Sequence, residues 1–264
     1  MSTHIVIPAR LGSTRLPEKV LADIAGLPMV IRSYQQAMRV GADTVTVATD
    51  SERVLEVCEQ FNAPAVMTDP AHPSGTTRLS EVVTNQGWDT DDIVVGMQAD
   101  EPLLPPEVLS HLISFFSTQT DSPMASVYDL IRDPEELMDP SVVKVVLNAD
   151  HQALYFSRAP IPWHREAFDT EKPLTSCLTD YYRHIGIYAY RVGFLSEYMS
   201  WEPSPLEEIE CLEQLRVLYH GQSIAMDKTP LPVPPGIDTE ADLEQVRSFL
   251  TRPPVRKCES AGDP

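Results

Sequence analysis

The sequence predicts an α/β fold with a mostly parallel central sheet. In the first half of the chain, short β-branched runs alternate with segments of helical spacing, which is typical of βαβ units. The 264 residues are 42% hydrophobic and 22% charged, ordinary values for a globular chain with a full core. At about 150 residues per domain, a chain of this length is expected to form one or two domains.

The first half contains four predicted strands and three predicted helices. The strands are apolar and β-branched, and they lie at His4–Pro8, Thr44–Thr49, Ala65–Met67 and Ile93–Met97. The helices cover Met29–Val40, residues 52–61 behind the N-cap candidates Asp50 and Ser51, and Pro105–Ser117; Ser74–Gln86 is a loop that enters a helix. Because ligands lie beyond the carboxyl ends of parallel strands, we expect loops 8–19 and 98–102 to share one edge of the sheet.

The second half has a different pattern. Strands are predicted at Val143–Leu147, Ala153–Ser157 and Arg183–Tyr190, and helices at Leu206–Tyr219 and Glu240–Leu250. The spacing of Leu206, Ile209, Leu212 and Leu215 places them on one face of a single amphipathic helix. We expect an extended arm at the proline-rich Ala159–Trp163, a flexible loop over 165–180 and a frayed tail over 252–264.

The charge balance excludes several classes of partner. Twenty Lys and Arg residues against 39 Asp and Glu residues leave a net charge of −19, which argues against a nucleic-acid or anionic-membrane surface. We expect no secretory signal, because the first ten residues lack a basic region followed by an apolar stretch, and no transmembrane helix, because no apolar run reaches about 18 residues. Its four cysteines form no CxxC pair, so free thiols in a reducing cytoplasm are expected. An anionic substrate must therefore be met by a local basic pocket.

The loop after the first strand is a candidate phosphate site. Pro8–Lys19 carries three basic residues and one acidic residue in an otherwise acidic chain. Gly12 and Ser13 can turn the backbone so that N–H groups converge, and arginine and lysine side chains then bind phosphate oxygens. The alternative is a solvated surface loop. The chain contains neither a Walker A motif nor a dinucleotide-binding glycine motif.

Two aspartates are candidate Mg²⁺ ligands. Asp100 follows a buried strand, and Asp238 stands before the last predicted helix. Mg²⁺ prefers a few protein oxygens and shares its remaining positions with phosphates and water. The alternatives are a turn or helix N-cap for Asp100 and the N-cap of the last helix for Asp238.

Three further groups are weaker candidates. Strand alternation places His184 and Tyr188 on one face with Gly186 between them, which leaves room for a ligand; the alternative is a core histidine with satisfied hydrogen bonds. The polar face of the helix over 206–219 is either a binding surface or solvated, and it carries Glu210, Glu213 and Gln214. Ser157 and Arg158 end a predicted strand, and the alternative to a functional role for them is a surface ion pair.

Taken together, the motifs resemble one family. They are PARLGSTRLPEK, HPSGTTR, QADEP, VKVVLN, ALYFSRAPIPW, RHIGIYAYR, SPLEEIECLEQLRVL and GIDTEADLEQVR. In this order, from about residue 4 to about residue 250, the chain is similar to 3-deoxy-manno-octulosonate (Kdo) cytidylyltransferases. The resemblance implies a cytoplasmic, homodimeric enzyme of lipopolysaccharide biosynthesis that makes CMP-Kdo and pyrophosphate from CTP and Kdo.

The resemblance also implies a fold. This is a Rossmann-like nucleotidyltransferase of the nucleotide-diphospho-sugar transferase type, with a mostly parallel central sheet and a smaller subdomain for sugar binding and dimerisation. The whole chain would form a single domain, with the nucleotide-binding part at about 1–130 and the sugar-binding and dimerisation part at about 131–250. The arm at Ala159–Trp163 lies in the part associated with the dimer contact.

Roles for individual residues follow from the same resemblance. The residues implied to bind CTP are Pro8, Ala9, Arg10, Ser13, Arg15, Lys19, Ser74, Gly75 and Arg78. Of these, Ser74, Gly75 and Arg78 would recognise the cytosine base. The residues implied to bind Kdo are Gln98, Arg158, His184, Tyr188, Glu213 and Gln214. Asp100 and Asp238 would hold Mg²⁺, and with Arg10 and Lys19 they form the implied catalytic set.

Three positions depart from the family pattern. Glu18 replaces a glycine and either pairs with Lys19 or points away from it. Leu27 replaces a lysine and removes a positive charge. Ala99 also replaces a glycine. If this position requires a positive φ, the alanine destabilises the fold by about 1 kcal/mol or more. If the glycine only allows a ligand to approach closely, the alanine methyl group lies against that ligand.

Two alternatives to the Kdo reaction remain. One is the same reaction on a related sugar acid, such as a nonulosonate or 8-amino-Kdo. The other is a non-catalytic nucleotide-binding module, in which Glu18 and Ala99 mark the decay of the site. A purely structural protein would require the polar clusters to be accidental.

Overall fold

Eleven strands form two sheets in the part of the chain that the computed structural model describes, residues 1–13, 16–168, 178 and 180–251. The strands are β1 (Thr3–Ala9), β2 (Asp23–Ile24), β3 (Leu27–Pro28), β4 (Thr44–Thr49), β5 (Ala65–Met67), β6 (Ile93–Gly96), β7 (Met124–Leu130), β8 (Lys144–Leu147), β9 (Ala153–Ser157), β10 (Tyr182–Arg191) and β11 (Ile224–Lys228). The α-helices are α1 (Met29–Met38), α2 (Glu52–Gln60), α3 (Gly75–Gln86), α4 (Pro106–Ser117), α5 (Pro134–Met138), α6 (Arg165–Phe168), α7 (Val192–Ser200), α8 (Pro205–Glu210), α9 (Leu215–Tyr219) and α10 (Glu240–Thr251).

The large sheet is parallel through its first-half strands and antiparallel where the second half enters it. Its order is β11-β7-β10-β6-β1-β4-β5, with β8 and β9 attached through β10, and β2 and β3 form a separate small sheet. β1 is parallel to both β4 and β6, whereas β10 is antiparallel to β6 and β7. The α/β fold with a mostly parallel central sheet is confirmed, and the carboxyl ends of β1, β4 and β6 meet at one edge.

The central strands are apolar throughout because both faces of the sheet are covered. In β1, Ile5 and Ile7 pack into one core cluster, and Val6 packs into the cluster on the opposite face. Successive side chains of a strand point to opposite faces, so a strand covered on both sides has a continuous apolar run rather than an alternating one. The four strands predicted in the first half, β1, β4, β5 and β6, lie within one residue of their predicted bounds.

The single helix predicted over Leu206–Tyr219 is wrong. Cys211 has a left-handed backbone conformation with φ 52° that ends α8, and the chain turns before α9 begins. Ile209 is consequently 80% exposed, whereas Leu215 is fully buried, so the leucine face is not one buried stripe. The polar face is not a solvated surface either, because Gln214 is buried in the segment between the two helices.

Some elements were not predicted, and some predictions fall outside the described residues. The strands β2, β3, β7 and β11 and the helix α7 come from segments for which the sequence predicted no element. Residues 165–168 of the predicted flexible loop form α6, most of the rest of that loop lies outside the described residues, and so does the predicted tail over 252–264. None of the described helices combines the length and the hydropathy that crossing a membrane requires.

Candidate functional site

A cavity of about 250 Å³ lies where the carboxyl ends of β1 and β6 meet the amino end of α3. Its lining comprises Pro8, Arg10, Ser13, Lys19, Val20, His72, Pro73, Ser74, Gly75, Arg78, Gln98, Ala99, Asp100 and Asp238. Loops 8–19 and 98–102 both contribute residues to this lining, so they share one edge of the sheet as the sequence predicted.

Most of the residues implied for the nucleotide and the metal lie in this cavity. Of the described residues in that set, Ala9 alone is absent from the lining. Ala9 is fully buried within β1, where its carbonyl oxygen accepts a hydrogen bond from the Thr49 hydroxyl at 2.6 Å. Arg15 lies outside the described residues. Gln98, assigned to the sugar by resemblance, also lines the cavity, whereas the lining residues Val20 and His72 were not predicted.

Lys19 joins the two predicted carboxylates. Its Nζ donates hydrogen bonds to Asp100 Oδ2 at 2.6 Å and to Asp238 Oδ1 at 3.1 Å. The chain returns to this point because the Ile237 N–H donates to the Asp100 carbonyl oxygen at 2.9 Å. Residues more than 200 positions apart in sequence thus form one charged centre at the cavity.

The N-cap alternative for Asp238 is wrong, because Thr239 occupies that position. The Thr239 hydroxyl accepts the Asp242 N–H at 3.2 Å, and the Asp242 carboxylate accepts the Thr239 N–H at 2.8 Å. This reciprocal pair closes the first turn of α10. The Asp238 carboxylate instead faces Lys19 at the cavity.

The donor set at this centre fits a small hard cation. Two carboxylates already converge on one positive group, the Lys19 ammonium, beside a cavity lined by polar groups. Mg²⁺ is commonly held by one or two protein carboxylates, with its remaining positions taken by phosphates and water. Within the described ranges, no group of three or more His, Cys, Asp or Glu side chains forms a fuller ligand set.

The amino end of α3 forms the wall of the cavity opposite the charged centre. The Ser74 side chain caps α3 by accepting the Thr77 N–H at 3.3 Å. Arg78, one turn further, is only 3% exposed; it donates to the Asp50 carboxylate at 2.8 Å and to the Thr68 hydroxyl. The helix terminus and the buried guanidinium both favour negative or acceptor groups at this wall.

The structure decides how two of the departures from the family pattern are accommodated. Glu18 points away from Lys19 and forms a bidentate pair with exposed Arg53, which lowers the pKa of the Glu18 carboxyl. Its backbone is left-handed, with φ 54°, the conformation that favours a glycine. Ala99 does not have a positive φ but lines the cavity, so only the close-approach explanation applies to it.

Apart from Gln98, the residues implied for the sugar lie outside the cavity lining. Glu213 connects the two groups, because its Oε2 accepts the Thr76 N–H of α3 at 3.4 Å, and partial burial raises the pKa of this carboxyl. The rings of His184 and Tyr188 lie 5.3 Å apart on one face of β10. A Cβ built on Gly186 meets no heavy atom within 4 Å, so the space expected at this glycine is present.

Hydrogen bonds inside the protein hold His184 and Arg158 in place. Ser126 Oγ lies 2.9 Å from His184 Nε2, and burial lowers the pKa of His184 to about 3, so the imidazole is neutral. The Arg158 guanidinium donates to the carbonyl oxygens of Glu210 at 2.8 Å and Pro140 at 3.0 Å rather than forming the surface ion pair considered above. Both side chains are therefore fixed by polar contacts within the fold.

Comparison with known proteins places the chain in a family. The profile of the cytidylyltransferase family matches residues 4–224. The 3-deoxy-manno-octulosonate cytidylyltransferase of Coxiella burnetii (strain Dugway 5J108-111) is 47% identical over 250 residues, which cover 95% of this chain and 100% of that protein. Its namesake from Aliivibrio fischeri (strain MJ11) is 47% identical over 252 residues, with 96% and 100% covered.

Solved structures agree with these relatives. A CMP:2-keto-3-deoxy-manno-octonic acid synthetase complexed with CTP is 40% identical and superposes with a TM-score of 0.85 over 95% of this chain and 98% of that one. A glucose-1-phosphate thymidylyltransferase from Bacillus anthracis is 16% identical and superposes with a TM-score of 0.63 over 94% and 95% of the two chains, a likeness of fold alone. The chain belongs to the cytidylyltransferase family and, within it, to the 3-deoxy-manno-octulosonate cytidylyltransferases.

Proposed function

We propose that this protein transfers CMP from CTP to Kdo, which yields CMP-Kdo and pyrophosphate and supplies lipopolysaccharide synthesis. The observation that carries the proposal is the meeting of Lys19 with Asp100 and Asp238 at a cavity that Arg10 also lines. A triphosphate needs both positive groups and a cation-binding carboxylate pair, and this cavity offers both. The relatives that match nearly the full chain carry the name of this activity.

The phosphate end of CTP is assigned to the loop after β1. Arg10, Ser13 and Lys19 line the cavity there and would bind the triphosphate, together with Arg15. Arginine and lysine neutralise phosphate charge, which grows on the leaving pyrophosphate as the bond to the α-phosphorus breaks. Asp100 and Asp238 would hold Mg²⁺, which when bound supplies further charge neutralisation on the phosphates.

The cytosine end is assigned to the wall made by α3. Ser74 and Gly75 begin this helix, and Arg78 lines the cavity one turn later. Cytosine presents a carbonyl oxygen and a ring nitrogen as neighbouring acceptors, which two N–H groups of a guanidinium can meet. Pro8, which lines the cavity, would lie beside the nucleotide, whereas the buried Ala9 would support it from within β1.

The sugar is assigned to the group beside the cavity. Arg158 suits the sugar carboxylate, and Glu213 and Gln214 suit hydroxyl groups, with His184 and Tyr188 on the neighbouring strand. Gln98 lines the nucleotide cavity and would contact the sugar from that side. The anomeric hydroxyl would attack the α-phosphorus in line, so the protein positions two substrates and need not form a covalent intermediate.

Pyrophosphate release tests this proposal. With CTP, Mg²⁺ and Kdo we expect release that stops without Kdo or after metal chelation and falls about a hundredfold or more in Asp100→Asn. Asp150→Asn, in the exposed turn between β8 and β9, is the matched control and should keep the wild-type rate. Pyrophosphate release with 8-amino-Kdo but not with Kdo would identify 8-amino-Kdo as the substrate. CTP binding without pyrophosphate release in the presence of any sugar acid would identify the protein as a nucleotide-binding module rather than an enzyme.

Organisation and location are parts of the same proposal. We infer a cytoplasmic homodimer with a nucleotide-binding part at about 1–130 and a sugar-binding and dimerisation part at about 131–250. Leu154 on β9 and Ile209 on α8 expose apolar side chains, on elements that the contacts between Arg158 and Glu210 hold together. Trp163, in the proline-rich arm, is also exposed and stacks on Phe168. Such apolar side chains favour contact with a second copy of the chain.

A further inference from the structure

Asp50 connects two walls of the nucleotide cavity without lining it. It follows directly on β4, where the sequence analysis considered it an N-cap candidate for α2. In the structure its Oδ2 accepts a hydrogen bond from the Arg78 guanidinium at 2.8 Å, and its Oδ1 accepts the Leu11 N–H at 3.1 Å. One carboxylate thus ties the arginine of α3 to the backbone of the loop assigned to the triphosphate.

The surroundings of Arg78 make this carboxylate important. The guanidinium is almost completely buried, and a buried charge is stable only when it is paired and hydrogen-bonded. Asp50 is the one carboxylate within ion-pair distance of it among the described residues. Its second partner, the Thr68 hydroxyl, is neutral and donates onward to the Thr49 carbonyl oxygen at 3.0 Å. Asp50 and Thr68 therefore hold the planar donor group of Arg78 in one orientation while it lines the cavity.

We propose that Asp50 is a positioning residue that makes the site select cytosine over uracil, an inference that rests on the proposed role of Arg78 in reading the base. Cytosine N3 and O2 both accept hydrogen bonds, whereas uracil N3 carries a hydrogen. A guanidinium fixed in one orientation meets cytosine and opposes the N3–H of uracil with its own donor. A guanidinium free to turn finds other acceptors on either base and discriminates less.

The test compares nucleotide binding in Asp50→Asn with binding in the wild type. The asparagine has one oxygen acceptor for two donors, the Arg78 guanidinium and the Leu11 N–H, and it carries no charge, so the arginine loses its charged partner. We expect the Kd for CTP to rise about tenfold, the loss of one charge-assisted hydrogen bond, with a smaller change in the Kd for UTP. The preference for CTP over UTP should fall accordingly, in Kd by calorimetry and in kcat/KM by pyrophosphate release.

The matched control lies at the other end of the same strand. Asp43 precedes β4 and accepts the Thr3 N–H at 2.8 Å, so Asp43→Asn makes the same chemical change away from the cavity and should leave both constants unchanged. Asp50→Glu, which restores the charge, should recover part of the preference for CTP. Unfolding of each variant separates loss of folded protein from loss of selectivity.

The possible outcomes lead to different conclusions. If Asp50→Asn lowers stability but keeps the wild-type ratio of CTP to UTP affinity, Asp50 has a structural role only and this inference is wrong. If the wild type binds CTP but transfers it to no sugar acid, the proposed function fails, and the affinity ratio still decides the role of Asp50. If the wild type binds neither nucleotide, both proposals are overturned.

Discussion

At the residue scale, the motifs identified most of the cavity but not the contacts that support it. Pro8, Lys19, Ser74 and Asp100 belong to sequence motifs that already suggest phosphate, base or metal chemistry. Asp50 could not be identified in this way, because an aspartate after a strand and before a helix is an ordinary N-cap candidate. Its contact with Arg78 depends on how α3 packs beside β4, which is a long-range property of the fold.

The neutral state of His184 gives a prediction at this scale. The pKa of His184 is about 3 in the folded state, below its ordinary value of 6.5. The unfolded chain binds the proton more readily between these values, so this group's contribution to stability is present above the ordinary pKa and is lost as pH falls from about 6.5 towards 3. The change is at most about 1.4 kcal/mol per pH unit.

Denaturant unfolding of the wild type and His184→Gln at pH 7 and pH 5 checks this expectation. The wild type should lose more free energy of unfolding than the variant between the two pH values. Equal losses in the two proteins would show that His184 takes up its proton without unfolding. His220→Gln is a suitable control, since the His220 ring stacks on Trp201 at the surface.

At the element scale, local patterns predicted β1, β4, β5 and β6 and failed over residues 206–219. The leucine spacing there is compatible with one helix, but the left-handed Cys211 ends α8 and turns Glu213 towards α3. A period of 3.6 residues does not reveal such an interruption, because each half keeps the helical spacing. β7 and β11 were also missed; β7 pairs with β10, and β11 pairs with β7 at the edge of the sheet.

Substitutions at Cys211 test the importance of this interruption. Cys211→Gly should keep or raise stability, because glycine adopts a left-handed conformation without a steric penalty. Cys211→Val should lower the free energy of unfolding by about 1–2 kcal/mol, because a β-branched side chain is strained there. We also expect the valine substitution to raise the KM for Kdo more than the KM for CTP, because Glu213 and Gln214, which are assigned to the sugar, follow the turn. Equal stability of the two variants would contradict a left-handed residue at this position.

At the scale of the whole molecule, an acidic chain gathers three basic side chains at its site. The net charge of −19 excludes broad anionic surfaces as partners, yet Arg10, Lys19 and Arg78 line one cavity. The alternation of strands and helices in the sequence predicted the parallel half of the sheet that creates this cavity. It did not predict that β10 enters antiparallel between β6 and β7, because strand pairing across the two halves has no local signal.

The proposed dimer gives the prediction at this scale. Ile209→Asp places a charge on the most exposed of the large apolar side chains that the structure describes, on the part of the chain assigned to dimerisation. Light scattering should show a dimer for the wild type and a monomer for this variant. Met38→Asp, on exposed apolar surface of α1, should remain dimeric. A monomeric wild type would refute the proposed dimer. A dimeric Ile209→Asp variant would show that the dimer interface does not include Ile209.

The position of β10 has a consequence for the chain as it leaves the ribosome. Until residues 182–191 have been made, β6 and β7 each have an edge without its native partner, and such open apolar edges are prone to pair with other chains. The amino-terminal segment contributes most of the nucleotide cavity, but its strands cannot form the complete native sheet before β10 has been synthesised. The strand that completes this sheet also carries His184 and Tyr188, so the sheet and the group assigned to the sugar both depend on residues 182–191.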